Sequence, residues 1–256
     1  MDLYSFAPIA AILDFAYSFV QFLSQLLSPL AGSASAAAAI VVLTLLVRTV
    51  LIPVGISQGR AEHGRRRIAP KLAALQERYK RKPELLATKM RELYAAEKTS
   101  PFAGFLPVLA QAPVLSVVYG LFILPQINGH ANGLLTETLG GVPLGMSLVR
   151  LLGGGEAWPS VLVFLALLAL IAGVAAISRL VMLRTATPPA ANAPAFQARL
   201  TGILSWMPFI TVIFASFVPL AATLYLATTT TWTLVERAIV RRALGIATPP
   251  AAPALG

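Results

Sequence analysis

Long apolar runs alternate with short polar segments along the chain, and the lengths of these runs predict membrane-spanning helices. A helix that crosses the hydrocarbon core of a bilayer needs about 20 mostly apolar residues. The predicted spans are residues 35–56, 102–124, 158–183, 201–217 and 219–235. The last two spans meet at Val218-Pro219, so the sequence predicts that they form a tight helical hairpin.

Residues 6–28 show a different pattern, in which polar and apolar side chains occupy different faces of one helix. The polar residues recur at helical spacing and are Asp14, Ser18, Gln21, Gln25 and Ser28. The apolar side carries Ile9, Ile12, Leu13, Val20, Leu23 and Leu27. This pattern predicts an amphipathic helix in the membrane interface, so residues 1–34 are assigned to that helix and its lead-in. The alternative is a sixth spanning helix. We expect no cleavable signal peptide, because no Lys or Arg precedes Arg48.

One charged residue, Arg48, interrupts the first apolar run. It lies about eight residues from the basic end of the run, or roughly 12 Å deep at 1.5 Å per residue. An arginine inside a spanning helix costs about 3 kcal/mol on insertion scales unless it faces water or a polar partner. The other predicted spans carry no acidic residue in their middle. We therefore expect Arg48 to face a wet cavity that receives polar groups of another molecule. The alternative is a structural charge satisfied by backbone carbonyls or water.

The pattern of residues 57–101 predicts a basic helical hairpin. Apolar residues recur at helical spacing from Ile68 to Tyr79, and Pro83 is placed to begin a second helix. A second apolar stripe runs from Leu86 to Leu93 and ends at Glu97. Two interpretations stay open: a solvated connector whose charges only enforce topology, and a surface that contacts anionic lipid, ribosomal RNA or an incoming chain.

Composition and charge place the chain in a membrane and orient it. Hydrophobic residues make up 57% of the 256 residues, charged residues make up 12%, and the net charge is +10. Eighteen of the 20 Lys and Arg residues fall in 57–100, near 179–200 and in the C-terminal tail. By the positive-inside rule these segments are cytoplasmic, which places the N-terminus outside and the C-terminus inside. Residues 125–157 then form an extracytoplasmic loop, 184–200 a cytoplasmic loop, and 236–256 a basic, disordered cytoplasmic tail.

Residue types needed for several kinds of chemistry are missing. The chain has no cysteine, and its two histidines, His63 and His130, fall on opposite predicted sides of the membrane. The sequence carries no phosphate-binding loop, no nucleophile constellation and no transporter-type inverted repeat. We therefore expect neither an enzyme nor a cofactor or metal site.

Three motif blocks follow one another along the chain. The first contains Val47-Arg48, Pro53 and Gln58, followed by Pro70-Lys71. The second runs from Leu93-Tyr94-Ala-Ala-Glu97-Lys98-Thr-Ser-Pro101 into Gly104-Phe-Leu-Pro107, Gln111-Ala-Pro113 and Tyr119. The third contains Met207-Pro208 and Phe217-Val-Pro219-Leu-Ala-Ala-Thr-Leu-Tyr225. Their order and their positions on the predicted spans resemble the YidC/Oxa/Alb family of membrane protein insertases, from about residue 35 to residue 242.

The resemblance implies an all-α integral membrane protein with five spans around a hydrophilic groove open to the cytoplasm, plus the cytoplasmic hairpin and the interfacial N-terminal helix. The chain departs from the family pattern at Ser100, Ala221 and Thr230, where the family often has Asn, Gly and Asn. These differences bear on packing and groove polarity and leave the arginine in place. The large extracytoplasmic domain of Gram-negative members and the lipoprotein cysteine of some Gram-positive members are absent, so the chain resembles the short, Gram-positive-like form.

The resemblance also implies roles for individual residues. Arg48, Thr44 and Gln111 would line the groove. The alternative for Thr44 is that its hydroxyl bonds to its own helix. The alternative for Gln111 is that its side chain bonds to a neighbouring helix. Thr211, Ser216 and Thr228 are further groove candidates. Ala112, Leu115, Phe214 and Tyr225 would form an apolar slide for a substrate helix, with helix packing or lipid contact as the alternative. The basic residues of the hairpin form a predicted cytoplasmic recruitment surface, namely Arg65, Arg66, Arg67, Lys71, Arg78 and Lys80.

The function that follows from the resemblance is insertion and folding of newly made membrane proteins in the bacterial plasma membrane. The implied partners are nascent membrane proteins and the bilayer, with the ribosome, the signal recognition particle receptor and the Sec translocon as candidates, and we expect a functional monomer. Two other classes remain: an anion channel or transporter with Arg48 as its selectivity charge, and a structural assembly factor.

Overall fold

A computed structural model describes residues 7–97, 100, 106–127, 129–154, 158–185, 202–243 and 245. The described chain is mostly helical, which confirms the predicted helical architecture. The α-helices in the described part of the chain are α1 (Ala7–Ala31), α2 (Ser35–Val50), α3 (Ile52–Arg78), α4 (Pro83–Ala96), α5 (Leu106–Ile123), the short α6 (Leu148–Gly153), α7 (Trp158–Thr185), α8 (Met207–Phe217) and α9 (Leu220–Ala243). Short 3-10 turns occur at Gly32–Ala34 and Gly133–Thr136.

The chain divides into two compact units. The apolar unit comprises Met1–Val50, Pro113–Arg184 and Thr201–Leu234. The basic unit comprises Leu51–Ala112, Thr185–Leu200 and Val235–Gly256. Within the described residues, Ala7–Val50 and Trp158–Arg184 are long and apolar enough to cross a membrane, and Gly202–Phe217 is a shorter apolar helix. That five helices span the bilayer stays a prediction.

Helices α1 and α2 pack closely in the apolar unit. Gly32, with φ +52°, lies in the turn between them, and α2 opens with the small buried residues Ala36, Ala37 and Ala39. Small side chains let helix backbones approach closely where van der Waals packing holds helices together. Leu13, Val20 and Leu23 of α1 are buried against this core.

The exposed surface of α1 has two faces. The predicted polar residues Asp14, Ser18, Gln21, Gln25 and Ser28 are all exposed. Phe15 and Phe22 are also exposed, at 72% and 57%, and both stack with Phe19. These three faces make α1 amphipathic, and its placement in the membrane interface stays a prediction.

Residues 125–127 and 129–154 form a folded segment in the apolar unit. Two antiparallel strand pairs, Gln126–Ile127 with His130–Ala131 and Thr138–Leu139 with Val142–Pro143, precede α6. Gly140 and Gly141 both have positive φ, as the tight turn between the second pair of strands requires. Ile127, Leu134, Val142, Leu144 and Leu151 are buried in the same core as α1, α2 and α9.

This folded segment holds the N-terminal end of α9. The amides of Leu220 and Ala221 donate to the carbonyls of Met146 (2.8 Å) and Leu144 (2.9 Å). The first amides of a helix have no partner within the helix, so the folded segment satisfies groups that lipid could not. The connection between α8 and α9 is only Val218 and Pro219, as the sequence predicts.

The basic unit begins where α2 ends. Pro53 lies in the first turn of α3, where its missing N–H costs nothing, so the helix boundary falls within the predicted first span 35–56. Pro83 begins α4. Helix α9 continues through Ala243 and so includes residues 236–243 of the predicted tail. Arg241 Nη2 pairs with Glu62 Oε1 of α3 at 2.9 Å, which holds this part of α9 in place.

Asn132 joins the folded segment to α5. Its Nδ2 donates to the carbonyls of Leu121 (2.8 Å) and Leu124 (3.0 Å), at the C-terminal end of α5, and Asn132 is 4% exposed.

We expect Asn132→Ala to lower the free energy of unfolding by about 2 kcal/mol, because one buried and one partly buried carbonyl lose their donor. Unfolding in mixed detergent micelles measures the effect. Thr136→Ala is the control, since the Thr136 hydroxyl is exposed and bonds only locally to Gly133 O. Equal losses in both variants would contradict the assigned role of Asn132.

Candidate functional site

Arg48 contacts α9 within the apolar unit. The half-buried Arg48 lies near the C-terminal end of α2, and its Nε donates to Thr229 Oγ1 at 3.3 Å. The two residues are 181 positions apart in the sequence. Among the described residues no carboxylate forms an ion pair with Arg48. The guanidinium is therefore positioned by a neutral hydroxyl, which leaves its charge uncompensated by this contact.

Thr229 differs from its neighbours in the threonine run. The hydroxyls of Thr228, Thr230 and Thr231 donate to carbonyls one turn back in α9, those of Leu224, Leu226 and Ala227. Such back-bonding satisfies a hydroxyl within its own helix. The Thr229 hydroxyl instead accepts a hydrogen bond from Arg48.

The sequence analysis did not single out Thr229. The signal that could have found it is the four-threonine run in an otherwise apolar span, together with a lone arginine in another span that needs a polar partner. Periodicity does not say which of four consecutive hydroxyls faces that arginine, because they point in four different directions around the helix.

Thr44 lies one turn before Arg48 and is 3% exposed. Its hydroxyl donates to the carbonyl of Ile40 at 2.7 Å. The Thr44 hydroxyl thus bonds to its own helix, which is the alternative that the sequence analysis left open for this residue. Ser216 and Thr228, the further groove candidates, likewise donate to carbonyls of their own helices.

The predicted slide residues lie in different surroundings. Tyr225 is half-buried on α9, one turn before Thr229 on the same helical face. Its ring packs against Phe122 of α5, with 6.1 Å between ring centroids. Phe214 of α8 is 55% exposed and shares an apolar face with Ile210 (58%) and Phe217 (64%). The geometry thus links Tyr225 to the Arg48 contact and gives Phe214 an exposed position.

Gln111, Ala112 and Leu115 lie on α5, but their side chains fall outside the described part of the structure.

Two of the predicted recruitment residues pair with the acid that ends the second helix of the hairpin. Arg67 Nη2 lies 2.9 Å from Glu97 Oε2 and also donates to the Glu97 carbonyl at 3.1 Å. Lys71 Nζ donates to the other carboxylate oxygen, Oε1. The hydrogen bond from Lys71, together with the charges of Lys71 and Arg67, lowers the pKa of Glu97 against the opposing effect of desolvation. Glu97 therefore joins α3 to the end of α4.

The remaining recruitment residues include exposed cations. Arg65, Arg78 and Lys80 are exposed, and the Arg78 guanidinium lies 5.6 Å from the centre of the Tyr79 ring. Arg66 lies on α3, but its side chain is outside the described part of the structure. Arg67 and Lys71, in contrast, carry charges that Glu97 partly compensates.

The chain is similar to a membrane protein family over most of its length and to individual relatives over shorter segments. A family model described as 60Kd inner membrane protein matches residues 26–246. A membrane protein insertase YidC from Clostridium perfringens is 40% identical over 91 residues, which are 35% of this chain and 38% of that protein. Proteins of the same name from Burkholderia multivorans and Paraburkholderia phymatum are 38% identical over 85 residues, which are 33% of this chain and 15% and 16% of those proteins. The matched segment thus spans less than half the length of these relatives.

We expect the α3–α4 hairpin to loosen at acidic pH. Because the pKa of Glu97 is lowered by folding, its stabilising contribution is fully present above the ordinary glutamate pKa of about 4.3 and is lost as pH falls through the lower folded value. Hydrogen–deuterium exchange over residues 67–97 at successive pH values measures the loosening.

Glu97→Gln is expected to raise exchange in this segment at neutral pH and to remove most of the acid dependence. Glu92→Gln is the matched control, since Glu92 pairs with Lys89 within α4 alone. An unchanged acid dependence in Glu97→Gln would show that another group links the two helices.

Proposed function

The chain belongs to the 60Kd inner membrane protein family, which is the YidC/Oxa/Alb family that its motifs resemble, and we propose that it inserts newly made proteins into the plasma membrane and assists their folding. The observation that carries the mechanism is the contact between Arg48 and Thr229, in which a neutral partner positions a charge inside the apolar unit. The N-terminus lies outside and the C-terminus in the cytoplasm.

The depth of Arg48 supports a role in passing polar segments across the bilayer. Thr229 lies nine residues after Leu220, the residue of α9 that bonds to the folded segment, which is about 13 Å at 1.5 Å per residue. The hydrocarbon core is about 30 Å thick. A groove that opens to the cytoplasm and reaches Arg48 would therefore shorten the apolar barrier by roughly half.

Arg48 attracts the acidic residues of the tail that must cross. Charge attraction is several times stronger at the reduced effective dielectric of a protein interior than in water. A neutral hydrogen-bond partner orients the guanidinium without cancelling its charge, so an incoming carboxylate does not have to displace an existing ion pair. The attraction is transient, because the tail regains full hydration once it reaches the far side.

The substrate's own apolar helix supplies the free energy that completes insertion. Burial of apolar surface contributes roughly 25 cal/mol per Å². Tyr225, which shares a helical face with Thr229, and the exposed Phe214 are the described members of the slide that guides this helix into lipid. The family resemblance alone supports Gln111 as a groove residue and Ala112 and Leu115 as slide residues. The process requires no nucleotide.

The basic unit receives substrates on the cytoplasmic side. Arg65, Arg66, Arg78 and Lys80 form its recruitment surface, while Arg67 and Lys71 chiefly hold the hairpin through Glu97. The partners are nascent membrane proteins and the bilayer, with the ribosome, the signal recognition particle receptor and the Sec translocon as further candidates. The protein acts as a monomer.

We expect Arg48→Ala to abolish or sharply reduce insertion of a small single-span protein with an acidic N-terminal tail, and Arg48→Lys to keep part of it. Lysine retains the charge but loses the guanidinium geometry. Proteoliposomes that contain each variant, with protease protection of the tail as the readout, measure insertion.

Two threonine variants separate charge from positioning. Thr229→Val removes the hydroxyl that accepts from Arg48 and is expected to reduce insertion less than Arg48→Ala does. Thr231→Val removes a hydroxyl that bonds within its own helix and is expected to have little effect. Equal insertion by the wild type and Arg48→Ala would mean that Arg48 is structural. Anion flux into the vesicles that depends on Arg48 would favour a channel instead.

A further inference from the structure

Arg179 forms a polar cluster near the C-terminal end of α7. Its guanidinium carbon lies 3.9 Å from the centre of the Trp206 ring, within the range of a favourable cation–π contact. Its Nε donates to Ser205 Oγ at 3.3 Å. Ser205 is fully buried and donates to the carbonyl of Gly202 at 2.6 Å. The guanidinium is therefore fixed on one face by an indole and along one edge by a buried hydroxyl.

These two contacts leave the terminal groups of the guanidinium uninvolved. The indole covers one face and Ser205 binds Nε, and neither contact uses the two terminal NH2 groups. Arginine presents its donors in a planar fork that fits the oxygens of a phosphate. The cluster thus orients a fork that is suited to bind an anion.

The surface around Arg179 is apolar and exposed. Trp206 is 53% exposed and Met207 beside it is 55% exposed. Leu183, one turn beyond Arg179, is 43% exposed, and Ile210, one turn beyond Trp206, is 58% exposed. An anion that reached Arg179 with acyl chains attached would find apolar contacts on both helices. Tryptophan and arginine are both favoured at the level of lipid headgroups.

The charges along the part of the sequence that carries Arg179 and Trp206 are of one sign. Between Glu156 and Glu236 the sequence contains no Asp or Glu, whereas it contains Arg179, Arg184 and Arg199. A negatively charged headgroup therefore meets no acidic side chain from this part of the chain. A zwitterionic headgroup gains less, because its cationic end meets the same positive field.

We propose that Arg179 and Trp206 form a binding site for the phosphate of an anionic phospholipid, with Leu183, Met207 and Ile210 beside its acyl chains. The site lies in the apolar unit and uses none of the residues assigned to the groove, the slide or the recruitment surface. It does not depend on insertase activity, so its test and the insertion assay can fail separately.

Tryptophan fluorescence tests the site directly. Trp158→Phe and Trp232→Phe leave Trp206 as the one remaining tryptophan of the three in the chain. The protein is reconstituted with acyl-brominated phosphatidylglycerol or acyl-brominated phosphatidylcholine at equal mole fraction, and quenching of Trp206 is compared. We expect phosphatidylglycerol to occupy the position beside Trp206 about fivefold more readily than phosphatidylcholine. This ratio corresponds to the attraction that one interfacial cation exerts on an anionic lipid.

Substitutions identify the residue responsible. Arg179→Gln is expected to abolish the preference for phosphatidylglycerol. Arg184→Gln, which removes the same charge from an exposed position five residues further along α7, is expected to preserve it. Ser205→Ala keeps the charge but releases Nε, and is expected to give an intermediate preference. Thermal unfolding shows whether Arg179→Gln folds. If it does not, the quenching measured with Ser205→Ala tests the site in its place.

Equal quenching by the two lipids in the otherwise wild-type protein would overturn the proposal. An equal loss of preference in Arg179→Gln and Arg184→Gln would overturn it as well, because the effect would then come from net charge rather than from a built site. If Arg179→Gln does not fold, Ser205→Ala decides the question. An undiminished preference of Ser205→Ala for phosphatidylglycerol would then show that the fixed Arg179 guanidinium is not the source of the preference.

Discussion

Hydrogen-bonding groups inside the apolar unit largely find their partners within the protein, and several features of the unit follow from this constraint. Hydrocarbon offers no hydrogen bonds, so each unsatisfied group there costs several kcal/mol. Arg48 Nε donates to Thr229, and the hydroxyls of Thr228, Thr230 and Thr231 donate to carbonyls of their own helix. The first amides of α9 are satisfied by Met146 and Leu144.

The folded segment before and within α6 meets the same constraint at the ends of α5 and α9. Asn132 satisfies carbonyls at the end of α5, and the backbone of residues 144–146 satisfies amides at the start of α9. A flexible loop could not hold these donors and acceptors in place. The segment therefore has its own buried apolar residues and two pairs of short strands.

In the basic unit, charged groups meet water rather than hydrocarbon. Its cations are largely exposed, and exposed ion pairs contribute little individually. Glu97 stabilises the hairpin more than a single exposed ion pair would, because two cations from α3 pair with its carboxylate at the end of α4. The contrast with Arg48 matters for the proposed function. Arg67 and Lys71 already have an acidic partner, whereas the described partner of Arg48 is neutral, so under the proposed function an acidic substrate tail would gain more from Arg48.

The sequence by itself determined the helical architecture, the Pro83 helix start, the Val218–Pro219 connection and the family, because span length, proline chemistry and motif order are local properties. It also singled out Arg48, since a charge in an apolar run is visible without a fold. Only the tertiary structure decided that Thr229 is the partner of Arg48, that Thr44 bonds to Ile40, that Glu97 collects two cations, and that Arg179 stacks on Trp206. Each of these is a choice among several equivalent hydroxyls, acids or rings, and helix packing makes that choice by bringing together residues far apart in sequence.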